Sequence, residues 1–324
     1  MIAITGAAGF IGSVLAWKLN SLSHDDLLLV DQKARNSPKW ENIKKRQYEI
    51  YLEHNDFLKR LQKNEFRGKI SAVFHLGACS DTTEMDETFL KKNNSEYSEH
   101  LATWCLANDV YFSYASSAAT YGSGELGFSD SDTLTPNLKP LNPYGRSKLN
   151  FDNWVLRNSL QNKVVGLRYF NVYGPNEYHK GHMRSLVHKG FHEIQKEGKL
   201  RLFKSYKKEY PDGGQKRDFI YVKDAVDAMI WLYQNPKVKG ILNLGTGHAQ
   251  SWNDLAAALF TAMGKTPNIE YIDMPDNLKN QYQYFTEADM AKLKKAGCPI
   301  NFRSLNSAVK DYVQNHLLKP DPYL

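Results

Sequence analysis

Cysteine is scarce. Cys79, Cys105 and Cys298 are the only three in 324 residues. They are odd in number, widely spaced and contain no C-x-x-C, which excludes a disulfide framework and a zinc site. Reduced thiols imply a cytoplasmic protein. Long apolar runs are also missing, and none approaches the roughly 20 residues needed to cross a bilayer. Residues 1–15 are apolar, yet they lack a basic leading segment and are punctuated by three glycines. A signal peptide is therefore not expected. Internal repeats and low-complexity tracts are absent. A formal net charge of +7 favours anionic partners. No helix-length basic stripe or nucleic-acid motif accompanies it, so a small anion such as a diphosphate suits the charge as well as nucleic acid does.

What is present is an ordinary globular composition, 42% hydrophobic and 24% charged, enough for a sizeable core. The length suits one large domain or two closely joined ones. Strands are expected at 2–5, 27–31, 72–75, 111–115 and 164–167, with crossover helices at 10–22 and 87–107. Near-continuous apolar strands alternating with helices predict an α/β fold with a doubly wound parallel sheet. After Arg168 the rhythm changes. Loops rich in Gly, Pro and Asn lead to strands at 219–222 and 241–244, and to helices at 223–233, 252–263, 287–296 and 305–316. The expected organisation is a dinucleotide-binding domain over 1–168 and a smaller, mainly substrate-binding lobe over 169–324. The chain is expected to return to the first domain around 217–244.

Gly6, Gly9 and Gly12 stand between the first strand and the first helix. Glycine permits a tight turn and close backbone approach to a pyrophosphate, and the helix N-terminus offers free N–H groups to it. Asp31 ends the second strand about 20 residues on, which completes the Rossmann fingerprint. The competing reading is a turn kept only for packing. An acid at Asp31 suits the 2′-hydroxyl of NAD. Lys33, Arg35 and Lys39 follow and suit a 2′-phosphate, so the residues leave NAD and NADP open.

Asn142-Pro-Tyr144-Gly-Arg-Ser-Lys148 carries a second signal. Pro143 suits a helix start, which sets Tyr144 and Lys148 on one helical face. A neighbouring ammonium and a cationic nicotinamide both favour phenolate, turning a tyrosine into a base. A surface tyrosine with an unrelated lysine is the alternative. Ser116 and Ser117, at the carboxyl end of an apolar strand, would bring hydroxyls to the same ligand. A merely polar turn is the alternative there.

Together these elements resemble the extended short-chain dehydrogenase/reductase family, which works mostly on nucleotide sugars. The resemblance extends through Phe74-His-Leu-Gly-Ala-Cys-Ser80, Arg168-Tyr-Phe-Asn-Val-Tyr-Gly-Pro175, Lys216-Arg-Asp-Phe-Ile-Tyr-Val222 and Asn243-Leu-Gly-Thr-Gly247. One branch fits best, the enzymes that invert C6 of ADP-glycero-manno-heptose. Thr82-Thr-Glu84, His179-Lys-Gly181 and Tyr282-Gln-Tyr-Phe-Thr286 look like that branch. The resemblance implies a homo-oligomer, often a ring of five, and a role in making lipopolysaccharide precursors. It also implies NADP, touched by Gly6, Gly9, Phe10, Ile11, Gly12, Asp31, Gln32, Lys39, His54, Leu76, Gly77, Ala78, Cys79, Ser80, Asn93, Tyr144, Lys148, Val172 and Lys180.

The implied reaction removes hydride from C6 and returns it to the other face. C6 is exocyclic, so rotation moves its oxygen between two positions, and two proton-transfer groups are plausible. The resemblance assigns them to Tyr144 and Lys180, with Lys148 and Ser117 supporting Tyr144. A lysine that only binds phosphate is the alternative for Lys180. The implied substrate contacts are Ser117, Asn171, His182, Lys189, Phe203, Lys204, Ser205, Tyr206, Arg217 and Tyr282. Arg217 is the expected grip on the diphosphate. Three positions depart from the family's pattern. His182 stands where serine is usual, Lys189 where histidine is usual, and His54 where a cofactor-side lysine is usual. A 4,6-dehydratase would need an acid pair after Thr120, which is absent. A 4-epimerase would share the same core residues. A redox-sensing binding protein would be expected to lose Tyr144 or Lys148, and both are present.

Overall fold

The structure, a computed structural model, describes residues 1–32, 37–279 and 282–324. Lys33 and Arg35, expected near the cofactor, lie outside the described residues. The first half runs β1 (Ile2–Thr5), α1 (Phe10–Ser21), β2 (Leu27–Asp31), β3 (Ile50–Glu53), α2 (His54–Gln62), β4 (Ala72–His75), α3 (Glu87–Leu90), α4 (Tyr97–Ala107), β5 (Tyr111–Ser117), α5 (Pro143–Arg157) and β6 (Val165–Tyr169). The second half runs β7 (Asn171–Tyr173), α6 (Leu186–Glu197), β8 (Leu200–Phe203), β9 (Lys216–Tyr221), α7 (Val222–Gln234), β10 (Gly240–Leu244), β11 (Ala249–Ser251), α8 (Trp252–Ala262), β12 (Ile269–Ile272), α9 (Asp276–Lys279), α10 (Ala291–Lys295) and α11 (Leu305–Tyr312).

Seven strands form one sheet in the order β10-β6-β5-β4-β1-β2-β3, all parallel. Every residue of β1, β2, β4, β6 and β10 is buried. That is the pattern of strands covered on both faces. On one face α1 and α7 pack through Val14, Leu15, Leu19, Val226, Met229 and Leu232. On the other, α2, α4 and α5 bury Phe57, Leu61, Leu101, Phe151 and Val155. A separate cluster joins α6, α8 and α11 through Phe191, Ile194, Leu259, Phe260 and Tyr312. The chain re-enters the large sheet through α7 and β10. β9 stays outside it, in a small sheet ordered β11-β9-β7. β12 pairs with β8 in parallel.

Three expected elements take different forms. The helix foreseen over 305–316 ends at Tyr312 and passes into a π-turn at Val313–Leu317. The helix foreseen over 87–107 is continuous but contains a π-turn at Lys91–Glu96. The helix foreseen over 287–296 is confined to Ala291–Lys295. The preceding residues are held by tertiary bonds instead. Thr286 N–H donates to the Lys216 carbonyl at 3.2 Å, and Ala288 N–H to the Asp218 carboxylate at 3.0 Å. Asn243 Nδ2 donates to the Asp289 carbonyl at 3.0 Å. Backbone groups used this way cannot also close helical turns.

Candidate active site

In an open parallel sheet, ligands bind outside the carboxyl ends of the strands where the strand order reverses. Here that point lies between β1 and β4. A cleft of about 1420 Å³ opens there and extends to the α6, α8 and β8 side of the lobe. It exceeds the roughly 300–1,000 Å³ of a single small-ligand pocket, leaving room for a dinucleotide and a substrate together.

The glycine turn forms one end. Gly6 has φ +68, and a Cβ on it would lie 2.7 Å from Gly77 N. A Cβ on Gly12 would lie 2.2 Å from Gly6 O. Both positions therefore require glycine for the turn itself. No side chain caps α1 at Gly9, so its first amides remain available, and they border the cleft. An uncapped helix N-terminus facing a cavity fits a pyrophosphate.

Asp31 is buried at the end of β2. Its carboxylate accepts from Ala8 N at 2.9 Å and Gln32 N at 2.8 Å. Lys39 Nζ lies 3.5 Å from it. Gln32, Lys39, His54, Leu76, Gly77, Ala78, Cys79, Ser80, Asn93 and Val172 all line the cleft beside Gly6–Gly12. Asn93 is an outer contact, since its amide donates to the Phe89 carbonyl. The buried neighbour Asn94 does the bracing. Its amide accepts from Cys79 N at 2.8 Å and donates to the Cys79 carbonyl and the Ser147 hydroxyl, both at 3.0 Å. The π-turn carries Asn94, in keeping with the frequent placement of such turns at functional sites. The sequence signal was a repeated Asn-Asn, with nothing to say which one turns inward.

Beneath the turn, His75 bridges Thr5 Oγ1 at 2.6 Å and Ser98 Oγ at 2.7 Å. Burial, aided by Lys148, lowers its pKa to about 3, so the ring is neutral. Thr5 in turn accepts from Gly77 N at 3.1 Å. This chain of bonds joins the glycine turn to the loop that begins at Gly77.

Tyr144 and Lys148 project from the first turns of α5. Pro143 occupies N1, and the Asn142 side chain caps the helix through Gly145 N. Tyr144 is buried, which raises its pKa, while the Ser117 hydroxyl opposes that shift. The expected lowering by Lys148 is not what dominates in the protein alone. Lys148 Nζ donates to the Ala115 carbonyl at 2.9 Å. Burial lowers its pKa to about 8, against the pull of Asp152.

Asp152 lies one further turn along α5 and anchors a buried network. It accepts from Tyr114 OH at 3.0 Å, Ser116 Oγ at 2.9 Å and Arg168 Nε at 2.9 Å. Arg168 also donates to Tyr121 OH and Thr135 Oγ1, both at 3.0 Å. The hydroxyls of β5 thus divide their work. Ser116 ties the strand to α5, and Ser117 borders the cleft.

Lys180 enters from the lobe on the turn Tyr178–Met183. Its Nζ lies 5.4 Å from the Phe10 ring centroid. Burial lowers its pKa and Glu177 raises it. His179 accompanies it in the cleft, neutral because burial holds its pKa near 4. Tyr144, Lys148, Ser117 and Lys180 therefore border one cavity.

The expected substrate contacts divide in two. Asn171, His182, Lys189, Phe203 and Tyr282 line the cleft. Lys204 and Tyr206 instead share Asp273, at 3.3 and 3.0 Å, and Ser205 bonds Lys207 and Asp212. None of these three lines the cleft. Arg217 sits behind the wall, buried, with its guanidinium 5.2 Å from the Tyr282 ring and 5.8 Å from that of Trp252. Trp252 was not anticipated. It donates to Tyr282 OH at 2.9 Å and completes an aromatic wall.

Comparison with known proteins agrees with this fold. The pattern of the NAD dependent epimerase/dehydratase family matches residues 2–245. An ADP-L-glycero-D-manno-heptose-6-epimerase of Nitratidesulfovibrio vulgaris is 50% identical over 324 residues, all of each chain. A protein of that name from Fusobacterium nucleatum is 46% identical, again over 100% of each chain. The crystal structure of the Helicobacter pylori ADP-L-glycero-D-manno-heptose-6-epimerase superposes with a TM-score of 0.79 at 29% identity, covering 97% of this chain and 95% of that one.

Proposed function

The chain belongs to the NAD dependent epimerase/dehydratase family, and on that premise we propose that it inverts C6 of ADP-glycero-manno-heptose. One observation carries the mechanism. Two candidate proton-transfer groups from different parts of the fold, Tyr144 on α5 and Lys180 on the lobe turn, border the same cleft as the glycine turn. Bound there, the dinucleotide would take hydride from C6 and return it to the opposite face. The protein's own residues handle the proton. In one orientation the C6 hydroxyl surrenders it to one of the pair. After rotation about C5–C6, the ketone oxygen takes a proton from the other. Lys148 supplies positive charge beside the phenol, and Ser117 orients it. Phe203, Trp252 and Tyr282 offer aromatic faces for the nucleotide end.

We take the dinucleotide to be NADP. Asp31 already accepts two backbone bonds, and Lys39 offsets its charge. That leaves Lys39 at the cleft edge to meet a 2′-phosphate. Lys39→Ala is expected to weaken NADP binding more than NAD binding, and an unchanged ratio refutes the assignment. No described helix is long and apolar enough to cross a membrane. A cytoplasmic ring of like subunits remains the expected setting, testable by light scattering of the purified protein. The deciding experiment is incubation with ADP-D-glycero-D-manno-heptose, following the configuration at C6 by NMR. Failure to convert it, with turnover of another nucleotide sugar, overturns the substrate.

A further inference from the structure

Lys180 stands on a turn tied to the rest of the chain at Tyr178, which donates to the Pro322 carbonyl at 2.9 Å, and at His179, 3.0 Å from the Asn42 amide. The turn Tyr178–Met183 contains no buried residue, and Gly181 breaks it at φ +55. The chain enters this turn at Glu177 and leaves it at Ser185, which caps α6 through His188 N. The Glu177 carboxylate joins the two ends. It accepts from Ser185 N at 2.5 Å, Ser185 Oγ at 2.7 Å and Gly174 N at 3.4 Å. Glu177 is itself 0% exposed.

A buried carboxylate is a costly staple. Taking such a charge out of water costs several kcal/mol, and an amide in its place would turn an NH2 toward one of the backbone N–H donors. Burial pushes the Glu177 pKa up, and the three bonds named oppose that by pointing donors at the oxygens. Charge is therefore the property to explain. Two cations of the cleft feel it, Lys180 and Lys189. Around Lys180 the other described groups give no counter-ion. His179 is neutral and is itself repelled by Lys180 and Lys39, and the Phe10 ring offers only its face.

We propose that Glu177 is the positioning residue for Lys180, closing the turn that carries it and supplying the negative charge its ammonium faces. The inference rests on reading Lys180 as a proton-transfer group. Burial pulls the lysine's pKa down, and the Glu177 charge restores part of it. Removing that charge moves the Lys180 titration to lower pH.

Glu177→Gln in the full chain, loaded with cofactor, tests this. Cofactor affinity and KM are expected to stay within a few-fold. Turnover should fall about 100-fold, the scale of a 1 Å misplacement of a reacting group. The Lys180 limb of the kcat–pH profile should move down by about one unit, the size expected for losing one neighbouring charge. The same displacement should persist in a Lys189→Met background. Reductive methylation with ¹³C-formaldehyde gives a direct second readout, with the Lys180 signal assigned by its loss in Lys180→Arg. That signal should titrate at lower pH in Glu177→Gln. An unmoved limb and an unmoved signal overturn the proposal. If Glu177→Gln folds poorly, Ser185→Ala keeps the charge and removes one donor. Slower turnover with an unmoved limb supports the staple, and wild-type turnover refutes it. Full activity in Lys180→Ala would instead defeat the reading of Lys180. Full activity in Glu177→Gln beside an inactive Lys180→Ala defeats this inference alone.

Discussion

Replacing Asp152 with alanine strips the counter-ion from a guanidinium that water does not reach. The side chains of Asp152 and Arg168 are both 0% exposed, and their ion pair measures 2.9 Å. Breaking a buried pair by removing one partner costs about 3–5 kcal/mol, because the remaining charge is left uncompensated. Unfolding entropy of about 2.1 cal/mol/K per residue makes each kcal/mol worth about 1.5 °C in a chain of this length. The midpoint should therefore fall by roughly 4–7 °C. Asp152→Ala/Arg168→Met, which removes both charges, should recover most of that loss. The active site reports separately. The Asp152 charge holds up the pKa of Lys148, which burial has already lowered to about 8. Without Asp152 it falls further. The ammonium is the form that favours phenolate at Tyr144, so turnover should begin to fall at lower pH as the solution is made alkaline. The double variant should keep this displacement even as its melting recovers, since the stabilising charge at Lys148 is still missing. Thermal melts and pH–rate profiles of both variants check the reasoning. A midpoint within a degree of wild type for Asp152→Ala would refute it.

Four further outcomes are expected. Tyr144→Phe should lower kcat by about 10²–10⁴, the usual contribution of a general acid–base group, while fluorescence titration shows cofactor still bound; Lys180→Ala should likewise abolish inversion at C6 by NMR, and near-wild-type turnover in either variant sinks its role. Gly12→Ala should weaken dinucleotide binding measurably, because the added Cβ falls 2.2 Å from Gly6 O and must displace the turn; an unchanged Kd contradicts this. His75 titrates near 3 in the fold against an ordinary 6.5, so below 6.5 the unfolded chain takes up a proton that the folded chain refuses. Its stability contribution is lost as pH falls through that window, by about 1.4 kcal/mol per pH unit. His75→Asn should flatten that slope in denaturant melts between pH 6.5 and 5.

The large sheet was legible because its strands are buried on both faces and therefore carry unbroken apolar runs. β1, β2 and β4 have the expected bounds, and β5 and β6 extend only two residues beyond theirs. β3 was not foreseen. It is a half-buried edge strand of four residues, too short for a period to show. α6 was missed although its signals exist, with Ser185 at the N-cap, Val187, Phe191 and Ile194 on one face, and Gly198 at φ +70 beyond its end. The polar loop before it blurs where the helical period begins.

The glycine turn, Asp31 and the Tyr144/Lys148 pair were determined by sequence alone. Each is a local arrangement, a tight turn or a single helical face, whose geometry follows from residue type and spacing. What tertiary structure decided is which distant groups serve them. Asn94 rather than Asn93 braces the Cys79 loop, and Ser117 rather than Ser116 meets Tyr144. Arg217 stands behind Trp252 and Tyr282 instead of in the open cleft, and Glu177 ties the two ends of the turn that carries Lys180. These pairings depend on how separate elements pack and on which polar groups are driven out of water together. A linear pattern contains the residues, but only the packed chain sets the burial and distance that give them charge and direction.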